Sequence, residues 1–143
     1  MDKAVIKQRR DQLCTLFHGA PIAKSYGMTL HYNDEGAAVF TLPYNKNFDH
    51  ALGQIHGSVF MAMLDNAGWF TLAPHYDTWI ATVELTSRLL EPVAREELIA
   101  TGKIVRLGKR ICVASMEIVS ESDKLVATGS GTFAVAGESY LNS

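Results

Sequence analysis

The sequence predicts an α+β fold in which one antiparallel sheet of about six strands curls around a single long helix. Two observations carry this. Residues 56–73 form an 18-residue stretch that is apolar almost all round and holds one charged side chain, Asp65. On either side of it lie runs rich in β-branched residues, two before and four after, with no second long apolar helix among them.

Taken in order, the first element is an amphipathic helix over about residues 3–18. Val5, Ile6, Leu13, Leu16 and Phe17 recur among charges at broadly helical spacing, and Gly19-Ala20-Pro21 supplies the stop. Residues 26–32 and 37–42 then read as two strands joined by Asn33-Asp34-Glu35-Gly36, which suits a tight antiparallel connection. Residues 43–54, rich in Pro, Asn, Asp, His and Gly, read as a loop anchored by Phe48 and Leu52. Because the stretch from His56 to Ala73 is apolar nearly all round, it is expected to be enclosed by other elements. Four long strands follow, over about 79–90, 97–107, 110–120 and 125–136. They are separated by Glu91-Pro92-Val93-Ala94, by Gly108-Lys109 and by Glu121-Ser122-Asp123. No repeat, low-complexity tract or linker interrupts the chain, so a single domain over 1–143 is expected.

Composition narrows the function classes. With 13 Lys+Arg against 15 Asp+Glu the formal charge is -2, so no global basic field points to nucleic acid or to an anionic membrane surface. Cys14 and Cys112 stand far apart in the chain and outside any CxxC or CxxH spacing, which fits a reducing, cytoplasmic setting. The polar start, Met1 to Arg10, has neither the apolar run nor the cleavage site of a secretory leader. The longest apolar stretch, broken by Asp65 and Asn66, falls short of the roughly 20 residues a membrane span needs.

Asp65 is the anomaly in this pattern. A carboxylate in such a helix must find donors, emerge into a cleft or hold a raised pKa. It is either a hydrogen-bonded core or interface residue, or a general base or nucleophile. Upstream, Gly53-Gln54-Ile55-His56-Gly57-Ser58 leads into the same helix, where free backbone N–H groups and the positive dipole end favour negative charge. Gly57 lets a carbonyl approach closely, so its N–H is a candidate oxyanion donor; a plain helix-entry glycine is the alternative. Asp65 follows Gly57 by eight residues, on roughly the same helical face, with Ser58 and Met61 or Ala62 between them, so one cleft is expected to contain both.

His56-Gly57 followed by Asp65 on a buried apolar helix resembles the hotdog-fold acyl-CoA thioesterases, especially the phenylacetate-degradation (PaaI-like) type, and the resemblance covers most of the chain. Leu90-Glu91-Pro92 matches the turn at the family's third strand. The resemblance implies a hotdog fold. It also implies hydrolysis of an acyl- or aryl-CoA thioester, with Asp65 activating water or attacking the carbonyl and the Gly57 N–H holding its oxygen. No resident cofactor is implied, since coenzyme A is part of the substrate. His56 keeps the family's histidine. His50 stands where relatives commonly carry Asn or Gln, and is either a donor or second acid/base in that place or a solvent-exposed loop histidine. Ser58 replaces a second glycine, leaving the backbone N–H intact. Thr82 matches a position from which some relatives supply a hydroxyl across the subunit interface; ordinary strand threonine is the alternative. In the family the site lies between two subunits and dimers pair into tetramers. A homodimer is also expected from the edge strands and open sheet face that such a fold leaves uncovered.

For the coenzyme phosphates the sequence offers Arg106, Lys109 and Arg110 around Gly108, with Arg88 as a further candidate; solvated hairpin-tip charge is the plain alternative. Phe48, Met61, Trp69 and Phe70 suggest an apolar acyl pocket, or simply core. A metal hydrolase would recruit Asp49, His50, His56 and Asp65, yet no ligand spacing supports it, and Gly57-Ser58-Val59 lacks the pattern of a serine nucleophile elbow. A hydroxyacyl-thioester dehydratase and a non-catalytic acyl-CoA-binding sensor remain as other readings of the same fold.

Overall fold

The computed structural model describes residues 1–139. Helix α1 (Lys3–Gly19) is capped by the Asp2 carboxylate, which accepts from the Ala4 N–H at 2.9 Å. It buries Arg9, Leu13 and Phe17. The guanidinium of Arg9 pairs with Asp77 and donates to the Pro74 carbonyl at 3.2 Å, tying α1 to the far end of the central helix. The expected stop at Gly19-Ala20-Pro21 is only a corner. Pro21, pre-set for a first helical turn, opens a second helix, α2 (Pro21–Tyr26), and Gly27 closes it in the left-handed region at φ 72°. Tyr26 is therefore helical, and the first strand is shorter than expected, β1 (Thr29–Tyr32).

A turn around Asn33, whose side-chain oxygen accepts from the Glu35 and Ala37 N–H groups at 3.1 and 2.9 Å, leads to β2 (Ala38–Leu42). The expected loop follows, with one 3-10 turn at Lys46–Phe48. The central helix α3 (Gly57–Leu72) runs on into a 3-10 turn at Ala73–His75. The remaining strands are β3 (Thr78–Leu89), β4 (Leu98–Leu107), β5 (Ile111–Ser120) and β6 (Leu125–Ser139). All six pair antiparallel in the order β1-β2-β4-β5-β6-β3, so β1 and β3 are the edges.

The sheet wraps α3. Met63, Leu64, Ala67 and Leu72 are fully buried against Phe40, Ala100, Ala114, Ile118 and Phe133, and each large apolar side chain removed from water contributes about 1.5–3 kcal/mol. Helix and sheet approach so closely that a Cβ on Gly102 would fall 2.3 Å from the Ala67 carbonyl oxygen and from Thr71 Oγ1. The helix is not enclosed all round, contrary to the expectation from its apolarity. Ser58 and Met61 are exposed, and Ala62 and Asp65 only partly covered, leaving one open stripe. The edge strand β3 is equally uncovered: of its twelve residues only Ile80 is buried, and Trp79 and Val83 are 49% and 65% exposed. Among the described residues no helix is long and apolar enough to cross a membrane.

Candidate active site

Two small clefts flank the open stripe of α3, one at its N-terminus and one at its middle. At the N-terminus the chain enters in extended form, with the Ile55 N–H bonded to the Val93 carbonyl at 2.8 Å and the His56 N–H to the Phe48 carbonyl at 2.9 Å. His56 is the N-cap: its Nδ1 accepts from the Ser58 N–H at 3.1 Å and lies 2.7 Å from the Ser58 hydroxyl. That cap consumes Nδ1 and leaves Nε2 as the donor of the neutral ring. His50 is held the same way. Its backbone N–H bonds to the Gln54 carbonyl at 2.8 Å and its Nδ1 accepts from the Leu52 N–H at 3.0 Å, around a turn in which Gly53 takes φ +80°. His50 and Gly57 line one cleft of about 210 Å³ with Gln54, Phe60, Leu89 and Pro92. Gly57 and Leu89 pack closely across this cleft, since a Cβ on Gly57 would meet Leu89 Cδ1 at 2.8 Å.

Asp65 opens into the second cleft, of about 460 Å³. Thr82 Oγ1 donates to Asp65 Oδ1 at 2.9 Å, and among the described residues no other donor reaches this carboxylate. Burial pushes its pKa above the ordinary aspartate value, and the Thr82 hydroxyl opposes that rise. The result is a half-buried carboxylate with one oxygen held and the other available, suited to accepting a proton or attacking a carbonyl. Trp69 walls this cleft, its indole N–H bonded to the Ile80 carbonyl at 2.6 Å, and Phe70 and Trp79 stand beside it.

Four expectations need correction. Thr82 reaches Asp65 within the same chain, because β3 returns past the middle of the helix it follows, and no second subunit is needed for that bond. Gly57 and Asp65 do not share a cleft in the protomer. Eight residues bring them near one angular position but about 12 Å apart along the axis, two turns of rise that an argument from angle alone overlooks. Phe48 does not line Asp65's cleft; it stacks on Tyr26 with ring centroids 5.1 Å apart. Ser58 and Met61 lie on the open stripe between the clefts and line neither.

The basic candidates separate. Arg106, Lys109 and Arg110 surround the β4–β5 turn, which is pinned by Tyr76 Oη donating to the Gly108 carbonyl at 2.8 Å. Through Ile111↔Ala134 and Ala81↔Ala134 this turn lies at the same end of the sheet as Thr82. Arg88, paired with Thr128, stands at the other end beside Leu89 and the Gly57 cleft. None of the four lines either cleft. Sequence reasoning did not place Gln54 in the His50 cleft, nor the N-terminal helices against Asp65, although Leu13, Leu16, Phe17 and Ile22 supply one wall. The Leu13, Leu16 and Phe17 stripe was the available signal; what it packs on was not readable from spacing.

A larger cavity, of about 810 Å³, lies by the β1–β2 turn and contains Arg10, Thr71 and His75 but none of the catalytic candidates. Burial and the nearby Arg10 and Arg9 charges hold His75 below the usual histidine range. Among the described residues no three His, Cys, Asp or Glu side chains converge as a metal site, and the set Asp49, His50, His56 and Asp65 is divided between the two ends of the helix stripe.

Comparison with known proteins agrees with this architecture. The model of the thioesterase superfamily matches residues 52–127, more than half of the chain. A protein of Saccharolobus solfataricus, provisionally named an esterase, is 29% identical over 101 residues, covering 70% of this chain and 72% of its own. Among solved structures, the Escherichia coli PaaI protein of the phenylacetic acid degradation operon superposes with a TM-score of 0.83 at 23% identity, covering 94% of this chain and 96% of that one. A thioesterase of Haemophilus influenzae superposes with a TM-score of 0.81 at 20% identity, covering 90% of each chain. The six-stranded sheet around a central helix is the hotdog fold of these neighbours.

Proposed function

Since the chain belongs to the thioesterase superfamily, we propose that it cleaves an acyl- or aryl-CoA thioester to the free acid and coenzyme A. The observation that carries this reading is the Asp65–Thr82 pair: a half-buried carboxylate of raised proton affinity, oriented by one hydroxyl, at the mouth of an apolar cleft. A binding module gains nothing from a desolvated carboxylate there, whereas hydrolysis requires one.

In this reading Asp65 takes a proton from water as the water oxygen attacks the thioester carbonyl. The C–S bond then breaks and the proton returns to the leaving sulfur. Direct attack by Asp65 from the same position breaks the C–S bond, expels the coenzyme A thiolate and gives a mixed anhydride, which water opens to the free acid and the restored carboxylate. The developing oxyanion needs a donor about 3 Å away, and the Gly57 N–H, free at the first turn of α3, is the suited one.

Gly57 and Asp65 then come together across two copies of the chain. Thr82 marks the Asp65 end of β3 and Leu89 its Gly57 end. A two-fold axis between Leu85 and Thr86, pairing two β3 edges antiparallel, sets Thr82 of one copy opposite Leu89 of the other, and so Asp65 beside the other copy's helix start. It also covers the exposed edge strand. His50, with Nε2–H free to donate, then joins the carbonyl end of the site, and Arg88, Arg106, Lys109 and Arg110 ring its rim as candidates for the coenzyme phosphates. Pairing of such dimers into a tetramer fits the resemblance, and two free thiols, Cys14 and Cys112, fit a cytoplasmic setting.

The test is release of free thiol from a panel of aryl, short, medium and long acyl-CoA esters. Turnover of any member supports the hydrolase reading. Saturable acyl-CoA binding without turnover across the panel overturns it in favour of a sensor.

A further inference from the structure

We infer that the two N-terminal helices hold the acyl group of the substrate, that Leu16 and Ile22 set its length, and that the cleft selects neutral acyl groups over those carrying a second carboxylate. This rests on the hydrolase reading and adds the substrate class to it. The cleft that begins at Asp65 and Thr82 continues without interruption onto Leu13, Leu16, Phe17 and Ile22. Leu13 and Phe17 belong to the core, at 1% and 4% exposure, whereas Leu16 and Ile22 are 45% and 55% exposed on the same wall. Bare apolar side chains beside a functional carboxylate mark a surface awaiting an apolar occupant. The continuity of this rim with Asp65 makes that occupant the acyl chain whose thioester the carboxylate faces.

The wall is fixed rather than loose. Arg9 ties α1 to the Pro74 carbonyl and to Asp77. His18 bridges α1 to β1, its Nε2 accepting from the Leu30 N–H at 3.1 Å while Nδ1 lies 2.8 Å from the Cys14 carbonyl oxygen. A rigid wall at the end of an acyl chain discriminates length, and a fitted pocket separates substrates differing by one methylene by about ten- to two-hundred-fold.

Charge discriminates independently of length. The polar side chains lining the cleft are Asp65, Asn66 and Thr82, with no Lys, Arg or His among them. Asn66, the one amide among them, donates an N–H toward the Met28 sulfur at 3.5 Å and carries no charge to pair with an anion. A terminal carboxylate on the acyl group would lie against the apolar Leu16 and Ile22 end of the cleft, giving up water there without gaining a cation.

The experiment compares kcat/KM for matched neutral acyl-CoA esters, from butanoyl to dodecanoyl and phenylacetyl, with succinyl- and glutaryl-CoA, in wild type, Leu16→Trp and Ile22→Trp. Acyl-dependent affinity is read by calorimetry on Asp65→Asn protein, and mass in solution is measured for every variant. Neutral esters are expected to exceed the dicarboxylic ones by about a hundred-fold or more. Each Trp variant is expected to lower the long-to-short ratio of kcat/KM at least tenfold, at unchanged mass. Turnover with a ratio indifferent to both variants overturns the inference alone, as does equal turnover of succinyl-CoA. A change of mass without a change of ratio also overturns it, by making the rim a subunit contact. If no ester turns over yet affinity follows acyl length and the Trp variants shorten the preferred chain, the hydrolase reading fails and the acyl subsite stands.

Discussion

Replacing Asp65 by Asn removes the only ionisable side chain of α3 while keeping an oxygen for Thr82 to donate to. Burial raises the Asp65 pKa above its ordinary value of 3.8, so the folded protein holds this proton more tightly than the unfolded chain does. The sign follows. Below the ordinary value both states are protonated and the residue imposes no penalty. As pH rises from there through the raised folded pKa, wild type loses stability, and above that point the full cost of an ionised, partly desolvated carboxylate is present. Because the site is only half-buried, water reduces that cost, and a gain of about 1 kcal/mol for Asp65→Asn at pH 7.5 is the expected scale. For a domain of about 150 residues this is about 2–4 °C in Tm. Thermal melts of both proteins from pH 3 to pH 8 measure it: the gain should be present at pH 7.5 and vanish toward pH 3. A variant no more stable than wild type at pH 7.5, or a gain that does not change with pH, refutes the claim that Asp65 is a carboxylate held against its solvation.

Thr82→Val removes the hydroxyl that opposes the rise in the Asp65 pKa, so the acid limb of the kcat profile should move to higher pH, with kcat at pH 5 falling more than at pH 8. His50→Ala should lower kcat/KM by about tenfold and His50→Gln restore most of it if the Nε2–H acts as a hydrogen-bond donor; equal loss in both would assign His50 to proton transfer instead. Gly102→Ala forces a methyl group onto the Ala67 carbonyl, a backbone atom that cannot turn aside, and should cost about 2–4 kcal/mol by urea unfolding, with the m value unchanged.

The strands after α3 were legible because β-branched runs and turn residues mark them, and α3 because little else keeps sixteen mostly apolar residues soluble. The misreadings have separate causes. Pro21 looks like a stop yet is compatible with a first helical turn, and only Gly27 at φ 72° shows where the second helix ends. Apolarity averaged over α3 hides which stripe remains bare, because exposed Met61 and buried Met63 look alike in composition. At the site, Asp65 stood out as a charge in an apolar run and Gly57 as the glycine at its helix start, whereas His50 was marked only by the family resemblance. The Thr82 contact inside one chain, the separation of Gly57 from Asp65 and the wall made by α1 and α2 depend on where elements cross in space, which periodicity does not encode.

The most direct measurement is the rate of free coenzyme A release from the best ester by wild type and Asp65→Asn side by side, with ester binding to both measured by calorimetry. The variant is expected to lose at least about a thousand-fold in kcat, with affinity within a few-fold of wild type. Turnover by Asp65→Asn within tenfold of wild type would contradict it, because the carboxylate would then not be the group that moves the proton or forms the bond.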